Sequence, residues 1–119
     1  MGASQELIEQ VAVAGRRLRD AIPDVYSGYA RLHAAAMAGD GALPVKTKEL
    51  IALAIAVTRE CDGCVAAHAK GAARAGATRQ EVCEAMGVAI LMNGGPATVW
   101  GPRALAAFED FAPAAEPQP

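Results

Sequence analysis

Two cysteines three positions apart, followed four positions later by a histidine, stand in the stretch ECDGCVAAH, Glu60 to His68. The chain has three cysteines and two histidines, so Cys61, Cys64 and His68 gather three of those five residues into eight positions. Asp62 and Gly63 mark the start of a helix, which puts Cys61 at its N-terminus and Cys64 one turn further in. Unpaired amides and a partial positive charge at that end favour a thiolate over a thiol. Residues three or four apart on a helix are neighbours, about 5–6 Å between Cβ atoms. Cys61 can therefore meet Cys64, and Cys64 can meet His68. A cysteine pair at this spacing can close a disulfide with modest adjustment. The histidine offers a base for the thiol proton and then a cation to hold the thiolate. A second cysteine traps a sulfenic acid as a disulfide before further oxidation. This is the minimum equipment of a two-cysteine peroxidase or disulfide reductase. The helix terminus favours Cys61 as the attacking thiol, and the i+4 histidine favours Cys64.

Glu49 is the fourth candidate. It stands at the edge of the most apolar segment, on a stripe with Leu53 and Val57 at i+4 and i+8. A carboxylate on that stripe is expected to be partly buried, which would raise its pKa and suit it to shuttle protons. The plainer reading is an early-helix acid balanced by Lys46 or Lys48. Glu49, Cys61, Cys64 and His68 could also offer zinc O, S, S and N donors. Structural zinc sites draw ligands from separated pairs and seldom use Glu, so neither a metal nor a cofactor is expected. Cys83, His33, Trp100 and Tyr26 read as structural residues: a free cysteine behaves as a small hydrophobe, and a lone helical histidine is an ordinary surface or core residue. Gly94, Gly95 and Pro96 read as a turn, with no phosphate-loop lysine nearby.

The elements that must position these groups are helices. The chain has 29 alanines among 119 residues, and alanine is the strongest helix former. Six helical segments can be read and no convincing strand, so the expectation is an all-α compact bundle of about six helices. Ser4 to about Ile22 carries apolar residues at helical spacing, with Ser4 as N-cap and Pro23 closing the segment. Asp24 to Met37 follows, then the loop Gly39 to Pro44. Leu50 to Val57 is apolar all round and is expected to be the most buried helix. The cysteine helix ends at Gly76, a C′ glycine. Thr78 and Glu81 form a capping box before the run to Met92. The last helix runs from Ala97 to Phe111, with Pro102 marking a kink or restart. Residues 1–111 read as one helical domain, and 112–119 as a flexible tail.

Composition narrows the functional classes. A net charge of −2 argues against general affinity for nucleic acid or anionic lipid. The trio Arg16, Arg17 and Arg19 is short and flanked by acids, so it reads as a solvated helix face. There is no secretory h-region and no run of about 18 apolar residues that would span a membrane, and a cytoplasmic location is expected. The odd cysteine count without an export signal fits a catalytic pair better than a disulfide framework. Small alanine-rich faces bury little area each, so the remaining apolar surface is expected to be covered by self-association.

The pattern Glu49-x11-Cys61-x2-Cys64-x3-His68 resembles the active-site pattern of the alkyl hydroperoxidase D-like branch of the carboxymuconolactone decarboxylase superfamily. The surrounding KTKELIALAIAVTRECDGCVAAHAKGAARAGATRQEVCEA, and NGGPATVWGPRALAAFEDF after it, resemble that family's core, so the similarity covers roughly Pro44 to Phe111. The resemblance implies an all-helical protein that assembles as a trimer or hexamer. It implies Cys64 as the peroxide-attacking thiolate, Cys61 as the resolving thiol, and His68 with Glu49 as the proton relay. The substrate would be a hydroperoxide or other small molecule, and the reductant an external dithiol. The best-known hydroperoxidases carry a further histidine between the cysteines, where this chain has Gly63. Two other readings stand beside this one: an acid/base decarboxylase or lyase acting on a small acid or lactone, and a non-catalytic helical assembly module.

Overall fold

A computed structural model describes residues 2–113, and their helices follow one another as α1 (Ala3–Ala21), α2 (Pro23–Ala36), α3 (Val45–Thr58), α4 (Asp62–Arg74), α5 (Arg79–Asn93) and α6 (Gly95–Phe111). No strand occurs among the described residues. The expected tail lies outside the described residues from position 114 onward. Six helices were expected in this order, and the all-α class is what the chain adopts.

The core lies between α3, α4, α5 and α6. Leu53, Val57, Val65, Val82, Met86 and Phe108 fill it, with alanines between them. The alanines set the geometry: with only a methyl group at Ala56, Ala69, Ala72, Ala89 and Ala104, the helix backbones can approach closely around a few larger side chains. Helix α3 differs from expectation. It buries Glu49, Leu53, Ala56 and Val57, yet Ile51 and Ile55 on its other face are exposed. An all-round apolar pattern predicts burial on every side, and this chain by itself covers only one.

Helices α1 and α2 contribute no fully buried residue. Gly2, not Ser4, is the N-cap of α1; the Ser4 amide instead donates to Asp110 Oδ2 of α6 at 2.9 Å. Gln5 Nε2 adds a bond to the Asp110 carbonyl at 3.0 Å, so the start of α1 is clasped to the end of α6. Pro23 opens α2 at its first position, where a missing N–H leaves nothing unpaired. The α2 backbone packs on α1 alone, giving a molecule of 51 × 34 × 31 Å.

The turns follow local chemistry. After α4, the Gly76 amide bonds to the Ala73 carbonyl and the Ala77 amide to Ala72, with Gly76 at φ 85°. This is the six-to-one, five-to-two closure that a left-handed glycine makes, at the residue expected to end the helix. The Thr78–Glu81 capping box forms in both directions, at 3.1 and 2.8 Å. Helix α6 begins at Gly95 and runs through Pro102 without restarting. Pro102 is exposed, so the Thr98 carbonyl that loses its partner there faces the solvent side.

Candidate functional site

The turn from α3 into α4 sets up the site. After Thr58 the Glu60 amide bonds to the Val57 carbonyl at 3.1 Å and the Cys61 amide to Ala56 at 3.2 Å. This repeats the closure seen after α4, but here the left-handed position is held by Glu60 at φ 53°, without a glycine. A Cβ in that region is strained by about 1–2 kcal/mol. The strained residue stands immediately before Cys61, and the sharp reversal brings α4 back along α3.

Cys61 is the N-cap of α4, as expected. Its Sγ accepts the Cys64 amide at 3.2 Å, so an orphan helix donor points at sulfur. Cys61 and Cys64 are joined by a disulfide, with Cα atoms 5.2 Å apart. The sulfurs differ in surroundings. Cys64 is exposed and lines a cleft of about 520 Å3; Cys61 is half-buried behind it.

His68 stands one turn beyond Cys64 and lines the same cleft. Its Nδ1 lies 2.8 Å from Glu49 Oε2, across from α4 to α3. When the carboxylate is ionised it only accepts, so the bond is then made by a proton on Nδ1, and Nε2 is left to exchange protons with whatever occupies the cleft. Glu49 is 8% exposed and is the buried charged residue of the core. Burial without a partner would be costly, and His68 supplies the partner. The four expected residues therefore meet: a cysteine pair and an imidazole–carboxylate couple around one cleft.

Two further residues shape the site. Gly71 sits one turn after His68, and a Cβ there would overlap the Glu49 carboxylate. The sequence held a readable signal for this, because a glycine inside an alanine-rich helix is less favourable than alanine by about 1 kcal/mol and so marks a close approach. His33, taken from sequence as an ordinary helical histidine, is instead stacked on His68, with ring centroids 6.3 Å apart and planes 18° from parallel. It reaches the cleft from α2 together with Tyr29. No spacing could have revealed it, since the two histidines stand on helices with no backbone contact between them and meet only through their rings across the cleft. Cys83 is a half-buried free thiol on α5, away from this cleft. Trp100 packs against the core with the Arg103 guanidinium 4.7 Å from its ring centroid.

Fold and site together define a small all-helical protein with a disulfide-forming cysteine pair at a helix N-terminus, facing an imidazole–carboxylate couple. Residues 23–110 match the model of the carboxymuconolactone decarboxylase family, and the chain belongs to that family. A structure of a carboxymuconolactone decarboxylase family protein from Legionella pneumophila, in apo form, is 37% identical and superposes with a TM-score of 0.87, covering 92% of this chain and 97% of that one. A second structure, from Burkholderia xenovorans, shares the fold at 22% identity and a TM-score of 0.74, over 92% of this chain and 93% of that one. Among curated relatives, an uncharacterized protein of Cupriavidus necator is 46% identical over 70 residues, covering 59% of this chain and 62% of the relative. Uncharacterized protein 4 in the cox locus of Paracoccus denitrificans is 44% identical over 72 residues, covering 60% and 65%. The matched stretch thus spans less than two thirds of the length of these curated relatives. No helix among the described residues is long and apolar enough to cross a membrane.

Proposed function

We propose that the protein is a thiol-dependent oxidoreductase of the alkyl hydroperoxidase D-like kind, which reduces a hydroperoxide or a partner disulfide by cycling Cys61 and Cys64 between dithiol and disulfide. The observation that carries this reading is the Cys61–Cys64 disulfide beside the Glu49–His68 pair, with Cys64 and His68 open to one cleft. The exposure of Cys64 favours it as the attacking sulfur, and the amide aimed at Cys61 Sγ suits Cys61 to leave as a thiolate when the disulfide is reduced.

The cycle balances in three steps. The Cys64 thiolate attacks the outer oxygen of ROOH; the O–O bond breaks, Cys64 becomes a sulfenic acid, and His68 gives the departing alkoxide its proton. The Cys61 thiol then attacks the sulfenic sulfur, forming the disulfide and releasing water. An external dithiol exchanges with the disulfide through a mixed intermediate, restoring both thiols and leaving as a disulfide itself. Glu49 holds the His68 proton on Nδ1 and offsets the charge when the ring is doubly protonated.

Peroxide consumption with a dithiol reductant tests the reading. Cys64→Ser should abolish turnover, and retained activity would refute the assignment. Cys61→Ser should stall as a sulfenic acid at Cys64, captured by a dimedone probe. An acid/base lyase reading makes a different demand: activity on a small acid or lactone that survives complete alkylation of the thiols. The reading includes self-association as well. Exposed apolar residues follow one another along α2 at Val25, Tyr29 and Leu32, and on α5 at Val88, Leu91 and Met92, the last two 80% and 75% exposed. Surfaces of this kind mark association sites.

A further inference from the structure

The stripe of α4 that carries Cys64 continues away from the disulfide through Ala67 and Lys70 to Arg74, at steps of three or four residues. With a rise of about 1.5 Å per residue, Lys70 and Arg74 stand roughly 9 and 15 Å along the helix from Cys64. Both line the cysteine cleft, and both also line an adjoining groove that shares Ile8 with it and is bounded further out by Phe111. The two depressions therefore form one path, with apolar groups on its walls and two cations along one edge. Lys70 is half-buried and Arg74 is exposed. Among the described residues no carboxylate lies within ion-pair distance of either. The acid lining the inner cleft is Glu49, already engaged by His68; the acid lining the outer groove is Glu9, exposed on α1.

We propose that Lys70 and Arg74 form an anion subsite, so that the cleft selects elongated organic hydroperoxides or disulfides carrying a carboxylate about 9–15 Å from the bond that Cys64 attacks, a span set by helix rise. The apolar stretch between would hold the substrate's hydrocarbon body. A guanidinium and an ammonium with no carboxylate partner among the described residues are the donors a carboxylate recognises. This inference rests on the cysteine cycle above and names the substrate class it acts on.

The test uses the reduced full chain with Cys83→Ser, so that only Cys61 and Cys64 react. Two disulfides serve as probes: that of 8-mercaptooctanoic acid, which is dianionic, and that of 8-mercaptooctanol, its neutral counterpart. Cys64 attacks one probe sulfur and expels one alkyl thiolate. Cys61 then attacks the mixed disulfide, expels the second and closes Cys61–Cys64. Two electrons pass from protein to probe, and the disulfide-closed protein is followed by intact mass. The acid probe should react on the order of three- to tenfold faster than the neutral one at low salt, with the preference shrinking as salt rises. Lys70→Glu with Arg74→Glu should reverse the preference, read as the ratio of the acid probe's rate to the neutral probe's in the same variant, so that a change in Cys64 reactivity common to both probes cancels. Lys70→Gln with Arg74→Gln should merely remove it, and serves if the double reversal weakens the helix. An acid-to-neutral rate ratio that is the same in wild type and both variants would overturn the subsite. If neither probe closes the disulfide in wild type, the cysteine cycle itself has failed, and the subsite with it.

Discussion

At the scale of single residues, the site holds a buried carboxylate against one ring nitrogen, and the proposed cycle depends on that contact. Gly71 makes that possible by leaving room for Glu49. Gly71→Ala would improve α4 as a helix yet displace the carboxylate, so peroxide turnover and Cys64 alkylation should fall together, by roughly tenfold or more, while far-UV circular dichroism stays unchanged. Unaltered turnover in that variant would show that the Glu49–His68 bond has no part in the chemistry. His33 offers a finer test. If its ring steadies His68 by stacking, His33→Phe should keep the Cys64 alkylation rate and His33→Ala should lower it; equal rates in both would assign the contact no role. Cys61, Cys64 and His68 were legible in the sequence because one helix turn fixes their neighbourhood. Glu49 was legible as a stripe residue with an acid where an apolar group was due, and through the family pattern that it completes with the two cysteines and His68. Its bond to His68 joins two helices, and no periodicity within either helix reports that distance.

At the scale of elements, the two helix endings built on the same closure differ in one residue. Gly76 occupies the left-handed position without strain, whereas Glu60 occupies it with a side chain. Glu60→Gly should raise stability to urea by about 0.5–1 kcal/mol, with alkylation kinetics at Cys64 showing whether the strain also serves the thiol. On α5, Thr78→Ala should lower stability by about 1 kcal/mol through loss of the cap. The Thr78 backbone amide and then the Lys46 ammonium hold the Glu81 carboxyl below its ordinary value of 4.5. A depressed pKa means the ionised form favours the folded state. That contribution is complete above about pH 4.5 and disappears as pH falls through the lower folded value. Glu81→Gln should therefore lower the melting temperature at pH 7 and make little difference at pH 2. Capping boxes and glycine stops are local chemistry, which is why α4 and α5 could be bounded from sequence. The start of α1 could not, because its anchor, Asp110, lies at the other end of the chain.

At the scale of the molecule, the all-α class followed from alanine content and helical spacing, but which faces would be covered did not. Ile51 and Ile55 on α3, with the apolar rows of α2 and α5, remain open in one chain. Sedimentation should give a mass that is a multiple of 12.2 kDa, and Val25→Asp with Leu32→Asp should lower that mass if α2 is part of the interface. A monomer at micromolar concentration would remove the self-association reading. The Cys61–Cys64 bond encloses very little chain. A crosslink over a separation of three restricts the unfolded ensemble weakly, by about 2 kcal/mol on loop-entropy grounds, against nearly 5 for a hundred-residue loop. The protein is thus expected to keep its shape in either oxidation state, which is what the proposed cycle requires if electrons are to enter and leave without the architecture being remade each time.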